Sequence, residues 1–384
     1  MKKWIISLGI VVLLLAMVCL AIYCSGKRGL AVELKAWQAA GRPTRVVGSS
    51  GEALNEKLNA ATYYRRAGAM IDALPKETLM LIIENTDGGA TSAERLGQAM
   101  ASCGPAYEQI YKGASCEHIQ WNWQSEGGSA LFSEALPRTG QMRRMARLVD
   151  AEASWLATQG DLDAAGRRLA AAFAVAGHAG SDPPVLMNSL VAIAIDVRAF
   201  RTFEQIFRDG SVPPTELVEA ITRRDYRAAL RRTLEGEAAY LIGVIESGEI
   251  PARWRFNRDL AFLLKSYQVY LDRLDQGLPF LEIPNHAKPP RFAPFSSITL
   301  PALSTAIDNF STIETCRRMA EIAVRLRKYK QEFGSYPATL SALAEMPTDP
   351  FAGKPFVYER DGGGFVLQSA GTIKDKPITW RWSQ

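Results

Sequence analysis

The chain opens with twenty residues that carry no charge, Trp4 to Tyr23 (WIISLGIVVLLLAMVCLAIY), and reads differently from there on. At about 1.5 Å per residue, a helix of that length spans roughly 30 Å, the hydrocarbon thickness of a bilayer. Trp4 and Tyr23 stand at its two ends, where aromatic rings favour the interface, and Lys2 and Lys3 precede it. A cleaved signal peptide has an apolar region of only about 7–15 residues. Bulky Tyr23 before Cys24 argues against a lipoprotein anchor. We therefore expect an uncleaved signal anchor over residues 1–28, a single pass through the bacterial inner (cytoplasmic) membrane, and the bulk of the chain on the extracytoplasmic side. Lys27 and Arg28 put positive charge on the far flank as well.

Beyond the anchor, apolar residues recur mostly at helical spacing. Met142, Met145, Val149, Ala153 and Leu156 form one stripe, and Leu162, Ala165, Leu169, Phe173 and Ala176 form the next. Between them Gly160 suits a left-handed helix end and Asp161 suits an N-cap. Two amphipathic helices joined this tightly pack antiparallel. The pair is similar to one tetratricopeptide-type unit, but no second copy occurs at a period near 34 residues, so irregular helical hairpins are expected over residues 29–278. Residues 183–195 (PPVLMNSLVAIAI) are uncharged, too short to span a bilayer, and read as the most buried helix. Further helices are expected near 51–73, 91–112, 214–247 and 253–276. Cys116-Glu-His-Ile-Gln-Trp-Asn-Trp123, the turn at Gly160-Asp161 and Asp182-Pro183-Pro184 together resemble a group of uncharacterised bacterial membrane-anchored helical proteins, over about residues 50–210. The resemblance implies architecture and no activity.

Six prolines fall within residues 279–301 (Pro279, Pro284, Pro289, Pro290, Pro294 and Pro301). Proline fixes φ and lacks an amide donor, so this stretch reads as a linker and a domain boundary, with His286 facing solvent. A long helix is expected over 302–333, and after it a small sheet. Phe356/Tyr358 and Phe365/Leu367 alternate with outward residues, Asp361-Gly362 suits a hairpin turn, and Ile378, Trp380 and Trp382 give a third strand an apolar face. The ordered string Tyr329…Gly334-Ser-Tyr-Pro337, Asp349-Pro350…Gly353…Pro355…Tyr358 and Phe365…Leu367…Ser369…Gly371 resembles the C-terminal half of the type II secretion major pseudopilins, over about residues 320–371. The chain departs from that family at its start. Lys2-Lys3-Trp4-Ile5-Ile6-Ser7 has no glycine–phenylalanine processing site and no nearby glutamate. Those proteins often bind calcium after the S.G strand; here Thr372-Ile-Lys-Asp-Lys376 holds one acid between two lysines, so no calcium site is expected.

Composition then narrows the function classes. With 47% hydrophobic and 22% charged residues in 384, the chain is neither disordered, collagen-like nor disulfide-dense, and it holds one anchor at most. The net charge is +5; without Lys2, Lys3, Lys27 and Arg28 it is 41 cations against 40 acids. Arg317, Arg318, Arg325, Arg327, Lys328 and Lys330 share a helix with Glu314, Glu321 and Glu332 and read as a solvated face, so no nucleic acid is expected as a partner. Of the five cysteines, Cys103 and Cys116 stand where a short-loop disulfide would form in an exported body, while buried thiols are the alternative. Cys116-Glu117-His118 lacks a second ligand pair at zinc spacing.

HExxH, Walker A and GxGxxG are all absent, and Gly48-Ser-Ser-Gly51 lacks the nucleophile-elbow spacing. In His178-Ala-Gly-Ser-Asp182, the histidine suits a helix C-terminus, and Ser181 or Asp182 suits capping of the next helix. Trp121 and Trp123 beside His118 read as core. No catalytic, cofactor-binding or metal-ligating residue is assigned, and no cofactor. The expected fold is mainly α: an N-terminal transmembrane helix, an irregular helical-hairpin body, and a small α+β module over 302–384. The expected role is non-enzymatic, an interaction or scaffold protein with protein partners. The alternatives are an envelope hydrolase with a site at His118 or His178, or a small-ligand or peptide binder using a groove in residues 140–210.

Overall fold

The computed structural model describes residues 23–46, 54–86, 92–125, 128–208, 211–247, 250, 256–283, 288–373 and 376–382. Residues 4–22 of the expected anchor, Gly48–Gly51, His286 and Asp375 lie outside them. Among the described residues no helix is long and apolar enough to cross a membrane. The fold is mainly helical, with a small antiparallel sheet at the C-terminus.

Helix α1 covers 23–39. After it come α2 (Ala60–Asp72), α3 (Lys76–Thr86), α4 (Ala93–Ser102), α5 (Gly104–Ala114), α6 (Gly128–Thr158), α7 (Leu162–Ala179), α8 (Leu186–Ile206), α9 (Thr215–Thr222), α10 (Tyr226–Ser247), α11 (Asn257–Asp275) and α12 (Pro294–Phe333). The hairpin of α6 and α7 forms as the stripes require. Gly160 takes φ +83°, and Asp161 accepts from Ala164 N at 2.9 Å as the N-cap of α7. Helix α7 lies at the centre, packed against α5, α6, α8 and α9. Alanines 165, 172 and 176 let its neighbours come close, and a Cβ on Gly166 would overlap Pro214.

Several expected helices divide where the local chemistry dictates. The stretch 91–112 breaks at Cys103, because Pro105 near the start of α5 cannot donate back into α4. The stretch 214–247 breaks at Arg223–Asp225, where Asp225 accepts from Ala228 N. Residues 54–59 are not helical; Asn59 caps α2 instead. The burial expected for 183–195 extends along the whole of α8, while residues 183–185 remain outside the helix.

The proline-rich stretch corrects the reading of an open linker over 279–301. Residues 280–282 form a 3₁₀ turn with Phe280 buried, and Phe280 N and Leu281 N donate to Pro350 O and Phe351 O. Helix α12 then begins at Pro294 rather than 302, and carries Pro301 inside. A proline there removes one helical hydrogen bond and costs about 3 kcal/mol, which the packing of α12 on α8, α10 and α11 offsets. The core cluster is continuous from α1 to the last strand.

Strands β1 (Val357–Asp361), β2 (Gly364–Ile373) and β3 (Lys376–Trp382) pair in that order, all antiparallel. The hairpin loop is Gly362-Gly363, one residue beyond the expected Asp361-Gly362, with Gly362 at φ +57°. Asp349 holds the module together: its carboxylate accepts from Phe351 N, Gly371 N and the Ser369 hydroxyl. A Cβ on Gly371 would overlap the Phe351 ring, so the glycine is required by close approach. Trp380 and Trp382 pack on Phe200 and Phe203 of α8.

Lys328 is exposed, but the other cations of α12 do not form a solvated face. Arg317 and Arg318 pair with Glu314, and Arg325 pairs with Glu321 and donates to the carbonyls of Ala344 and Glu345. Arg327 is buried, donates to the carbonyls of Phe207 and Ser211, and stacks on Trp382. The carbonyl partners were hidden by sequence distance, because they lie on segments away from the helix.

Candidate functional site

Two of the motifs singled out in the sequence, Cys116–Trp123 and His178–Asp182, meet at one hub. Asn59, capping α2, accepts from Ala61 N and Gln120 N and donates to Gln120 O, which pins the 116–123 segment across the start of α2. Asp182 reaches the same segment: one carboxylate oxygen accepts from Trp121 N at 2.8 Å, the other from Trp123 Nε1 at 2.7 Å. The Arg138 guanidinium lies 4.3 Å over the Trp123 ring and donates to Trp121 O. Burial pushes the Asp182 carboxyl up, while these two donors and Arg138 pull it back. Asp182 therefore does not cap α8, as its position suggested. Glu237 of α10 performs that task, accepting from Leu186 N at 2.9 Å. Ser181 turns back to His178 O.

His178 is buried, with Nδ1 2.8 Å from the Tyr64 hydroxyl. Burial drives its pKa down to about 4 against the backbone hydrogen bonds at Cys116 and Glu117, and Arg224 repels the proton further. The ring is thus neutral at neutral pH and does not act through charge on the dipole of α7. It is a structural pin between α2, α7 and the 116–118 segment. His118 lies exposed beside Glu117. Cys103 and Cys116 are separate thiols, and burial raises the pKa of both. Among the described residues no group of three or more His, Cys, Asp or Glu is placed to hold a metal.

A cleft of about 680 Å³ opens beside His178, and three of its arginines are paired with acids. Arg224 pairs with buried Asp196 at 2.5 Å, Arg223 with Glu219 and Arg168 with Glu152. A groove of about 470 Å³ near the start of α8 is lined by Phe132, Val185, Met187, Leu190 and Tyr240, together with the acid Glu237.

The third opening is smaller and chemically distinct. Between α6 and α8, over Ala172 of α7, a cleft of about 180 Å³ is lined by Arg143, Arg147, Arg198 and Arg201. Alanines 146, 194 and 199 leave the space open below the arginines. Asp150 is buried and accepts from Arg198 Nε at 2.7 Å, which fixes that guanidinium at the cleft wall. Four arginines and one carboxylate thus line the cleft, with Arg198 paired to Asp150. Such a site suits an anion: each guanidinium presents planar donors that match carboxylate or phosphate oxygens. Arg143/Arg147 and Arg198/Arg201 were visible in the sequence as like-charged pairs on one helix face each. Only the packing of α6 beside α8 brings the two pairs together.

No family model, no curated protein and no solved structure matches the chain.

Proposed function

We propose that the protein is a membrane-anchored protein of the bacterial cell envelope that binds partners and does not transform them, taking an acidic group of its ligand in the α6–α8 cleft. The observation that carries the binding role is the cleft itself, which four arginines line together with one buried carboxylate, Asp150, paired to Arg198. It falls within residues 140–210, the region a ligand- or peptide-binding reading of the sequence points to. The membrane location rests on the apolar run from Trp4 to Tyr23. The pseudopilin-like motif string over 320–371 adds a role as scaffold in a secretion-related assembly. Buried, neutral His178, held by Tyr64 and the backbone of 116–117, offers a hydrolase no ready general base.

The binding role is tested on the full chain by fluorescence anisotropy with a labelled hexa-aspartate peptide, with inorganic phosphate as competitor. Arg143→Glu/Arg147→Glu is expected to weaken binding about tenfold or more, since two cationic contacts become repulsive. Equal affinity in wild type and variant would remove the cleft as the binding site. Location is tested by C-terminal alkaline phosphatase and green fluorescent protein fusions. Phosphatase activity without fluorescence is expected, and the reverse would place the body in the cytosol.

A further inference from the structure

One end of the body gathers features that the fold itself does not need. Helix α1 lies parallel to α11: Gly26 faces Asn257, Gly29 faces Ala261, Gln268 donates to Glu33 O, and Arg42 pairs with Asp272. The first described turns of α1 therefore sit at the start of α11. Helix α12 begins there as well, because Asp259 accepts from Phe295 N at 2.8 Å and from Ser296 N at 3.1 Å. The proline-rich stretch joins the two ends of α11. Arg273 near the C-terminal end of α11 holds Ile283 O, and Pro294 opens α12 beside the other end. About a dozen extended residues reach up to roughly 40 Å, more than the helix length to be retraced.

At this shared end Phe292 is 94% exposed and Ile298 is 76% exposed, one on each side of the α12 start. Phe292 also adopts φ +85°, a left-handed backbone that a bulky residue rarely takes. An exposed aromatic held in a strained conformation gains nothing from the fold, and such strain collects at working sites. Lys27, Arg28, Arg258, Lys288 and Arg291 are exposed at the same end. Asp259, the acid in the first turn of α11, is buried and committed to the start of α12. Aromatic and aliphatic side chains ringed by cations are the composition of an interfacial membrane contact. The apolar run that ends at Tyr23 ends here too.

We propose that this end of the body, formed by the first described turns of α1 and the starts of α11 and α12, seats on an anionic bilayer surface. Phe292 and Ile298 enter the headgroup layer, and Lys27, Arg28, Arg258, Lys288 and Arg291 meet lipid phosphates. The contact rests on the anchored reading above and adds to it: the body is held flush to the membrane instead of hanging from a stalk. It also gives Lys27 and Arg28 a role that is independent of topology.

The test uses the full chain in lipid nanodiscs of phosphatidylcholine with or without phosphatidylglycerol. Trypsin cleavage after Arg291 is monitored, each rate being divided by that of a synthetic peptide of the same sequence. In discs with phosphatidylglycerol, wild type is expected to be cleaved about tenfold more slowly than Phe292→Ser/Ile298→Ser, and protection is expected to fall when the anionic lipid is omitted. Equal normalised rates for wild type and variant in anionic discs overturn the contact. Protein that does not co-elute with discs overturns the anchor instead, so the two failures are told apart. Both substituted side chains are exposed, so folding is not at stake.

Discussion

His178 shows how much a residue's surroundings decide. The same imidazole at a surface helix end would titrate near 6.5; buried against Tyr64 it titrates at about 4. The unfolded chain therefore binds a proton on this ring between those values and the folded chain does not. Stability from His178 is fully present above about pH 6.5 and is lost as the pH falls toward 4, by about 3 kcal/mol in all. Chemical denaturation from pH 7 to pH 4 should show wild type losing that much more than His178→Gln. Parallel pH curves for the two proteins would contradict it. Raised carboxyls such as Asp182, Asp196 and Glu237 act in the opposite sense, since the folded state binds their protons more tightly than the unfolded chain does, but they are common to both proteins and cancel in the difference. Asp182 itself was legible only as a capping residue type. Its partners, Trp121 and Trp123, lie about sixty residues earlier, beyond any local signal.

At the scale of elements, the helices arise from apolar spacing, and their separations are set by small residues at crossings. Gly236 on α10 is the clearest case: a Cβ there would overlap the Pro184 carbonyl just before α8. Alanine at this position gains about 1 kcal/mol of helix propensity. Overpacking against a backbone carbonyl costs about 1–3 kcal/mol, and a carbonyl cannot rotate away as a side chain end can. With the carbonyl this close the cost lies at the upper end, so Gly236→Ala is expected to lower stability by about 2 kcal/mol, read as a drop in urea midpoint; an unchanged or raised midpoint would mean α10 has room to move. By contrast Gly362, at φ +57° in an open turn, is set by backbone conformation alone.

For the whole molecule, the question is whether residues 279–301 divide it. Phe280 is buried and residues 280–281 hydrogen-bond to the 350–351 loop. Arg327 crosses from α12 to the end of α8, and Trp380 stacks on Phe200 and Phe203. Separating the C-terminal module would break the Arg327–carbonyl bonds and expose the Trp380 and Phe280 contacts to water, a cost of about a few kcal/mol. Thermal unfolding of the full chain in detergent is therefore expected to be a single transition, coincident by tryptophan fluorescence and by far-ultraviolet circular dichroism. Two resolved transitions would restore an independent module after the proline-rich stretch.

Sequence alone determined the elements whose signals are local. Apolar stripes gave the α6–α7 hairpin, Gly160 and Asp161 gave its turn, and alternation gave the faces of β1 to β3, because periodicity and caps act within a few residues. Tertiary structure decided what depends on residues far apart. It started α12 at Pro294 by bonding it to Asp259, turned Arg327 inward, made Asp182 a clamp, and brought two ordinary arginine pairs into one cleft. In each case the deciding partner sits on another element, and charge–charge and hydrogen-bond energies depend on distance in space.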